Sequence, residues 1–165
     1  MELLKVLDLK NYDPSWFRIS REAVRAVIIK RDKIALIKSK RDGFYKFPGG
    51  GIIEGESHFE ALIRETREET GLYVIPETIT PLGMVQEFRE SIKGKKIFDQ
   101  KSYYYCAEVE TTVTSQNLDD YEKGYEFELE WTDIQTAHDD NTKFSEKHGL
   151  EFLVREAYIL RCLLT

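Results

Sequence analysis

Glu65, Glu68 and Glu69 stand at i, i+3 and i+4 in the stretch RETREETG. On a helix that spacing stacks three carboxylates on one face, with Cβ atoms about 5–6 Å apart, and like charges so placed destabilise it. A bound divalent cation turns the repulsion into coordination. A donor set of oxygens, with no His or Cys beside it, suits a hard ion, Mg²⁺ or Mn²⁺, rather than Zn²⁺. The competing reading is a solvated acidic face laced by Glu60–Arg64 and Arg64–Glu68 pairs, which contribute little when exposed. Upstream, Pro48-Gly49-Gly50-Gly51 offers a backbone that can approach a ligand or metal closely. Six of the residues from 54 to 69 are acidic, against two arginines, Arg64 and Arg67.

The flanking sequence predicts the elements that hold these groups. Ser57–Thr70 reads as a helix, with a Ser57/Glu60 capping box and Gly71 at the C-terminal cap. Phe59, Leu62, Ile63 and Thr66 form its expected buried stripe. Residues 22–40, EAVRAVIIKRDKIALIKSK, read as a β-hairpin around a polar KRDK turn, and YKFPGG as a short strand stopped by Pro48. TPLGMVQEFRES and KSYYYCAEVE are further strands. Residues 124–134, GYEFELEWTDI, alternate: Phe127, Leu129 and Trp131 on one face, Glu126, Glu128 and Glu130 on the other. GLEFLVREAYILRCLL reads as a helix, apolar at Leu150, Leu153, Val154, Ala157 and Tyr158. Strands around one helix, with another at the end, imply an α/β (α+β) sandwich.

The chain has 165 residues, which fits a single domain over 1–165. Hydrophobic residues make up 41%, and the net charge is −6, which argues against a duplex nucleic-acid binder but not against a small nucleotide. The N-terminus MELLKVLDLKNYD is not a signal peptide, and no apolar run is long enough to span a bilayer, so a cytoplasmic protein without membrane association is expected. Cys106 and Cys162 form no metal-binding motif and are expected as free thiols. A homodimer is compatible with all of this.

Loop and helix together resemble the signature of the Nudix family of MutT-like pyrophosphohydrolases, G-x5-E-x7-R-E-U-x-E-E-x-G-U, with U a bulky aliphatic residue. The chain supplies Gly50, Glu56, Arg64, Glu65, Thr66, Glu68, Glu69, Gly71 and Leu72; Thr66 at the first U position is the one departure. The resemblance implies a Nudix-type α/β/α sandwich, a mixed β-sheet with a catalytic loop-helix and a C-terminal helix. It implies metal-dependent hydrolysis of the pyrophosphate bond in a nucleoside diphosphate linked to another moiety. Glu65, Glu68 and Glu69 would hold Mg²⁺ or Mn²⁺, with a carbonyl of Gly49 or Gly50. Arg64 would orient them and Glu56 support it. Glu65, Glu126 and Glu87 compete for the general base. The catalytic set is thus Glu65, Glu68, Glu126 and Arg64.

Substrate contacts are less determined. Arg25 reads either as a phosphate ligand or as an edge-strand charge. Tyr45 and Phe47 read either as partners for a base or, for Phe47, as core. His58 reads as solvated, and Tyr103–Tyr105 as strand packing. A nucleoside triphosphate, including an oxidised or non-standard one, is the default substrate. A nucleotide sugar, a dinucleotide or an ADP-ribose-type diphosphate is the alternative. Rival readings are a non-catalytic Nudix-like nucleotide-binding module, an isopentenyl diphosphate isomerase using Cys106, and an acidic interaction domain.

Overall fold

The computed structural model describes residues 1–165. Strands β1 (Leu3–Asp8), β2 (Arg18–Val27), β3 (Ile29–Lys30), β4 (Lys33–Ser39) and β5 (Tyr45–Lys46) precede helix α1 (His58–Thr70). Then come β6 (Leu72–Val74), β7 (Thr80–Glu90), β8 (Ile97–Cys106), β9 (Val109–Val113), the short helix α2 (Asp120–Gly124), β10 (Phe127–Thr132), α3 (Ile134–His148) and α4 (Glu151–Leu163). One sheet has the order β1-β7-β8-β2, with β7–β8 antiparallel and both outer strands parallel to their neighbours. A second, antiparallel sheet has the order β10-β4-β3, with β5 also on β4, and β6 pairs with β9.

Strand alternation decides which helix each sheet face receives. Val24, Ala26, Ile28 and Ala35 pack with Ala61 and Leu62 of α1, whereas Val27, Ile34, Leu36 and Tyr104 pack with Ala137 of α3 and Ile159 and Leu160 of α4. The result is the expected layering of helix, sheet and helix. The predicted hairpin survives only at its tip, where Arg31 and Asp32 adopt φ of 50° and 62°, the left-handed pair a two-residue turn requires. Below the tip the chain changes sheets: β2 pairs with β8, and β4 with β10.

Both caps of α1 form as the sequence predicts, and Gly71 takes φ 74° with its N–H on Arg67 O. The buried stripe is rotated from the expected one. Ala61, Leu62, Thr66, Glu69 and Thr70 are buried, while Phe59 is 45% exposed and lies edge-on to Tyr105. The C-terminal helix also differs: Val154 is exposed, and Arg155 and Glu156 are buried. Helix α3 was not foreseen, because only Ala137 and the polar Asn141 are buried along it, too few apolar positions to mark a stripe. The Asn141 amide accepts from Tyr45 N–H at 2.8 Å and donates to Tyr45 O at 2.9 Å, so it completes the edge of β5 as a strand would. Cys106 and Cys162 are free thiols, and no helix is long and apolar enough to cross a membrane.

Replacing Asn141 by Ala orphans both backbone groups of Tyr45, and the expected loss of stability is about 2–4 kcal/mol. The exposed control Val154→Ala should stay within about 0.5 kcal/mol of the parent. Urea unfolding of both variants checks this; equal small losses would mean that Asn141 does not hold β5.

Candidate active site

The triple glycine lies against β2 as an extra strand. Val24 N–H donates to Gly50 O at 2.9 Å, Ala26 N–H to Pro48 O at 2.8 Å, and Ile52 N–H to Glu22 O at 3.1 Å. Each glycine meets a different partner. Gly49, at φ 140°, leaves no room for a Cβ beside the Val24 carbonyl; its own carbonyl accepts from Arg25, and its N–H donates to Glu69 Oε2 at 2.7 Å. At Gly50 a side chain would occupy the space of the Glu65 carboxylate. Gly51 lies against the Arg21 guanidinium.

Arg64 is the hub of the acidic helix. Its Nε donates to Glu56 Oε1 at 2.7 Å and its Nη2 to Glu56 Oε2 at 2.9 Å. Nη1 reaches Glu65 Oε1 at 2.6 Å and Glu68 Oε2 at 3.3 Å, and Nη2 also reaches Gly51 O at 3.2 Å. The expected pair with Glu60 does not form, because Glu60 closes the capping box with Ser57. The bond from Arg64 holds the Glu56 carboxyl below its usual range, and Glu56, followed by Glu65, raises the Arg64 pKa.

Glu69 does not stay on the carboxylate face its spacing shares with Glu65 and Glu68. It is 2% exposed, and both its oxygens are engaged, Oε1 by Lys46 Nζ at 2.5 Å and Oε2 by the Gly49 N–H. Burial, reinforced by the Glu122 carboxyl beside it, pushes the Glu69 pKa up to about 7 against the pull of Lys46. Glu122, 3.6 Å from Lys46, is held below its usual range despite burial, by Glu69, the Asp119 N–H and Lys46. No three acidic or imidazole side chains converge on one point ready to hold a metal ion. In kind, Glu65 and Glu68 fit a hard divalent ion: each bonds Arg64 through one oxygen, Glu68 is 40% exposed, and the absence of a side chain at Gly50 leaves space at Glu65. Gly50 O is engaged by β2, and Glu69 does not fit as the structure holds it.

Lys46, the three glycines, Glu65, Glu69 and Glu122 line a cleft of about 760 Å³. Arg21, Arg25, Glu87, Gln100 and Arg155 from β2, β7, β8 and α4 line it as well. Arg155 donates to Glu87 at 2.5 Å and to Glu156 at 2.7 Å, and Glu156 accepts the Phe47 N–H at 2.7 Å. Glu87 is therefore an ion-paired, buried group. Tyr45 and Phe47, read as partners for a base or, for Phe47, as core, are 1% and 0% exposed, and Phe47 packs edge-on against Tyr104 in the core. Tyr121, Tyr125 and Phe127 line the cleft in their place. Glu126 does not reach the cleft: it is exposed at the turn before β10, with φ 54° and its N–H on Lys123 O. His58 is not merely solvated; its Nδ1 is 2.8 Å from Tyr105 Oη and its ring lies on Tyr103. Glu122, Lys46, Arg21 and the Arg155–Glu156 pair were missed by sequence reasoning. The Asp119/Glu122 capping box was the one local signal near Glu122.

Residues 19–151 match the NUDIX domain. The chain belongs to the Nudix family. It is a Nudix hydrolase by class, and its relatives agree with the fold. The uncharacterized Nudix hydrolase YvcI of Bacillus subtilis is 29% identical over 136 residues, 82% of this chain and 80% of that protein. The ADP-ribose pyrophosphatase of Methanocaldococcus jannaschii is 40% identical over 86 residues, and the match spans 50% of this chain and 48% of that protein. Among solved structures, the mMutator MutT protein from Bacillus halodurans superposes with TM-score 0.58 at 23% identity, over 79% of this chain and 82% of that one. A NUDIX hydrolase from Nitrosomonas europaea gives 0.58 at 20%, over 85% and 88%.

Arg64→Ala should lower stability by about 1–2 kcal/mol, because it strands three carboxylates. Arg64→Lys should not restore it, since a point charge cannot fork to the five acceptor atoms that the guanidinium reaches. Denaturant titration of both variants checks this, and full rescue by Lys would contradict the hub. Glu69 gives a pH test. Its folded-state pKa is raised, so its stabilising contribution is fully present below its ordinary 4.5 and is lost as pH rises through about 7. In metal-free buffer, wild type should lose melting temperature relative to Glu69→Gln between about pH 5 and 8. A constant difference would contradict the burial argument.

Proposed function

We propose that this protein hydrolyses the pyrophosphate bond of a nucleoside diphosphate linked to a second moiety, using a divalent cation. The observation that carries the reading is the Arg64 hub, which ties Glu56, Glu65 and Glu68 together at the glycine loop, where Glu65 lines a cleft that also bears Arg21, Arg25 and Arg155. The archaeal relative named as an ADP-ribose pyrophosphatase, matching half of the chain, supports the substrate class.

In this reading Glu65 and Glu68 hold the ion, Mg²⁺ or Mn²⁺. When bound, a divalent ion there supplies neutralisation of phosphate charge and acidification of water. Arg64 fixes both carboxylates from behind. Glu69, clamped by Lys46 and the Gly49 N–H, fixes the loop on the helix. The diphosphate lies between the carboxylates and the arginines. Water attacks one phosphorus, the bridging P–O bond breaks, and the leaving phosphoryl oxygen keeps the electron pair. Glu122 replaces Glu126 as the remote carboxylate: it lines the cleft, stays ionised at neutral pH, and can accept the proton from that water.

A screen of purified protein against nucleoside diphosphate derivatives and triphosphates, with Mg²⁺ or Mn²⁺ and with phosphate and pyrophosphate release followed, tests the reading. Turnover is expected for at least one member and should vanish in excess EDTA; undiminished turnover in EDTA would contradict it. Glu122→Gln should lower kcat by at least about a hundredfold, whereas Glu126→Gln should change it by less than about twofold. The reverse pattern would return the role to Glu126.

A further inference from the structure

The two most exposed large apolar side chains of the molecule stand at one corner of the first sheet. Ile92, 90% exposed, is on the turn between β7 and β8. Phe17, 73% exposed, precedes β2, and its carbonyl accepts the Ile97 N–H at the foot of the same turn at 2.9 Å. The turn reads SIKGKK, three lysines and no acid in a chain whose net charge is −6. Lys93, Lys95 and Lys96 are exposed and pair with no carboxylate, whereas Arg18 and Arg89 beside them are taken by Asp99 and Glu151. The turn is closed on itself. Ser91 N–H donates to Lys96 O at 2.8 Å, and Ser91 O accepts the Gly94 N–H at 3.1 Å. Ser91 Oγ accepts the Lys93 N–H at 3.2 Å, and Gly94 takes φ 88°. Ile92 is therefore held out to solvent by an ordered backbone.

One exposed isoleucine is ordinary on a protein surface. An apolar tip ringed by lysines without counter-charge, on a chain otherwise rich in acid, asks for a partner that is both apolar and anionic. An anionic lipid bilayer is such a partner: apolar side chains enter the boundary between headgroups and acyl chains, and lysines stay at the phosphates. Trp16, half-buried next to Phe17, is a residue type that suits the same boundary. A nucleic acid fits less well. The tip offers an aliphatic group, on which no base can stack, and point charges in place of guanidinium forks.

We propose that the β7–β8 turn, with Phe17 at its foot, docks this protein on an anionic lipid surface. The expectation of no membrane association rests on the lack of a spanning segment, and a surface contact does not need one. Ile92 also lines the cleft, with Arg89 and Phe98, so a docked molecule brings the cleft beside the lipid headgroups. The proposal does not depend on which diphosphate, if any, is hydrolysed there.

Flotation of the purified protein with vesicles tests this, using phosphatidylcholine alone and phosphatidylcholine with about a third phosphatidylglycerol. The wild type should float with the anionic vesicles and not with the neutral ones, and added salt should release it. Replacing Lys93, Lys95 and Lys96 together by Gln should weaken binding by at least about tenfold, and Ile92→Ser or Phe17→Ser by at least about fivefold. Lys143→Gln with Lys147→Gln, an exposed and unpaired basic pair on α3, should change it by less than about twofold. All these positions except those of the control lie at the tip or its foot, and equal melting temperatures confirm that each variant is folded. Failure of the wild type to bind anionic vesicles, or equal losses from the tip and the α3 variants, overturns the proposal. So does binding that needs the lysines but survives both Ile92→Ser and Phe17→Ser, or that a single-stranded RNA oligonucleotide competes away, since either marks a polyanion contact rather than a lipid one.

Discussion

Three carboxylates within reach of one guanidinium form the constraint on which the rest of the molecule depends. Without Arg64, Glu56, Glu65 and Glu68 would repel one another across the junction of loop and helix. With it, a single planar group ties the loop residue Glu56, two turns of α1 and the Gly51 carbonyl into one unit. Arg64 is part-exposed, so its value lies less in net energy than in geometry. It takes one oxygen from each of Glu65 and Glu68 and leaves the others for a ligand.

Two buried charge networks then hold that unit against the sheets. On one side Lys46 and Glu69 join β5 to α1 and, through the Gly49 N–H, to the loop. On the other, Arg155 and Glu156 join α4 to Glu87 on β7 and to the Phe47 N–H at the end of β5. Both networks meet the short segment Tyr45–Gly49. Buried ion pairs are poor sources of stability, because desolvation offsets most of the attraction, but breaking one partner is costly. Their consequence here is positional: strand β5 can occupy one place only, and the glycine loop that continues it is fixed over β2.

The local part of this design was legible in the sequence. Helix α1, its capping box and its glycine cap rest on contacts within a few residues, and spacing reports such contacts; the support of Arg64 by Glu56 came only from the family resemblance. What spacing could not report is long-range polar pairing. Glu69 is buried because Lys46 and Gly49 receive it, so a carboxylate read as a metal ligand beside Glu65 and Glu68 belongs to the interior. Asn141, Arg155 and Glu156 break the apolar periodicity of α3 and α4, because their partners are backbone and charge on distant strands. Tyr45 and Phe47 read ambiguously for the opposite reason: an aromatic beside a glycine loop suits a base or a core equally, and only the packing of α3 and α4 over β5 decides. Glu126 fell out of the site because a left-handed residue at the start of β10 turns it to solvent, while Glu122, one short helix earlier, faces Glu69.

The central claim, that Arg64 presents Glu65 and Glu68 to a divalent ion while Glu69 stays clamped inside, is most directly tested by anomalous diffraction from crystals soaked in Mn²⁺. The account predicts an ion about 2.0–2.6 Å from oxygens of Glu65 and Glu68, with Arg64 still on Glu56 and Glu69 still on Lys46. An ion held elsewhere, or one that draws Glu69 out of its pocket or displaces Arg64 from Glu56, would contradict it.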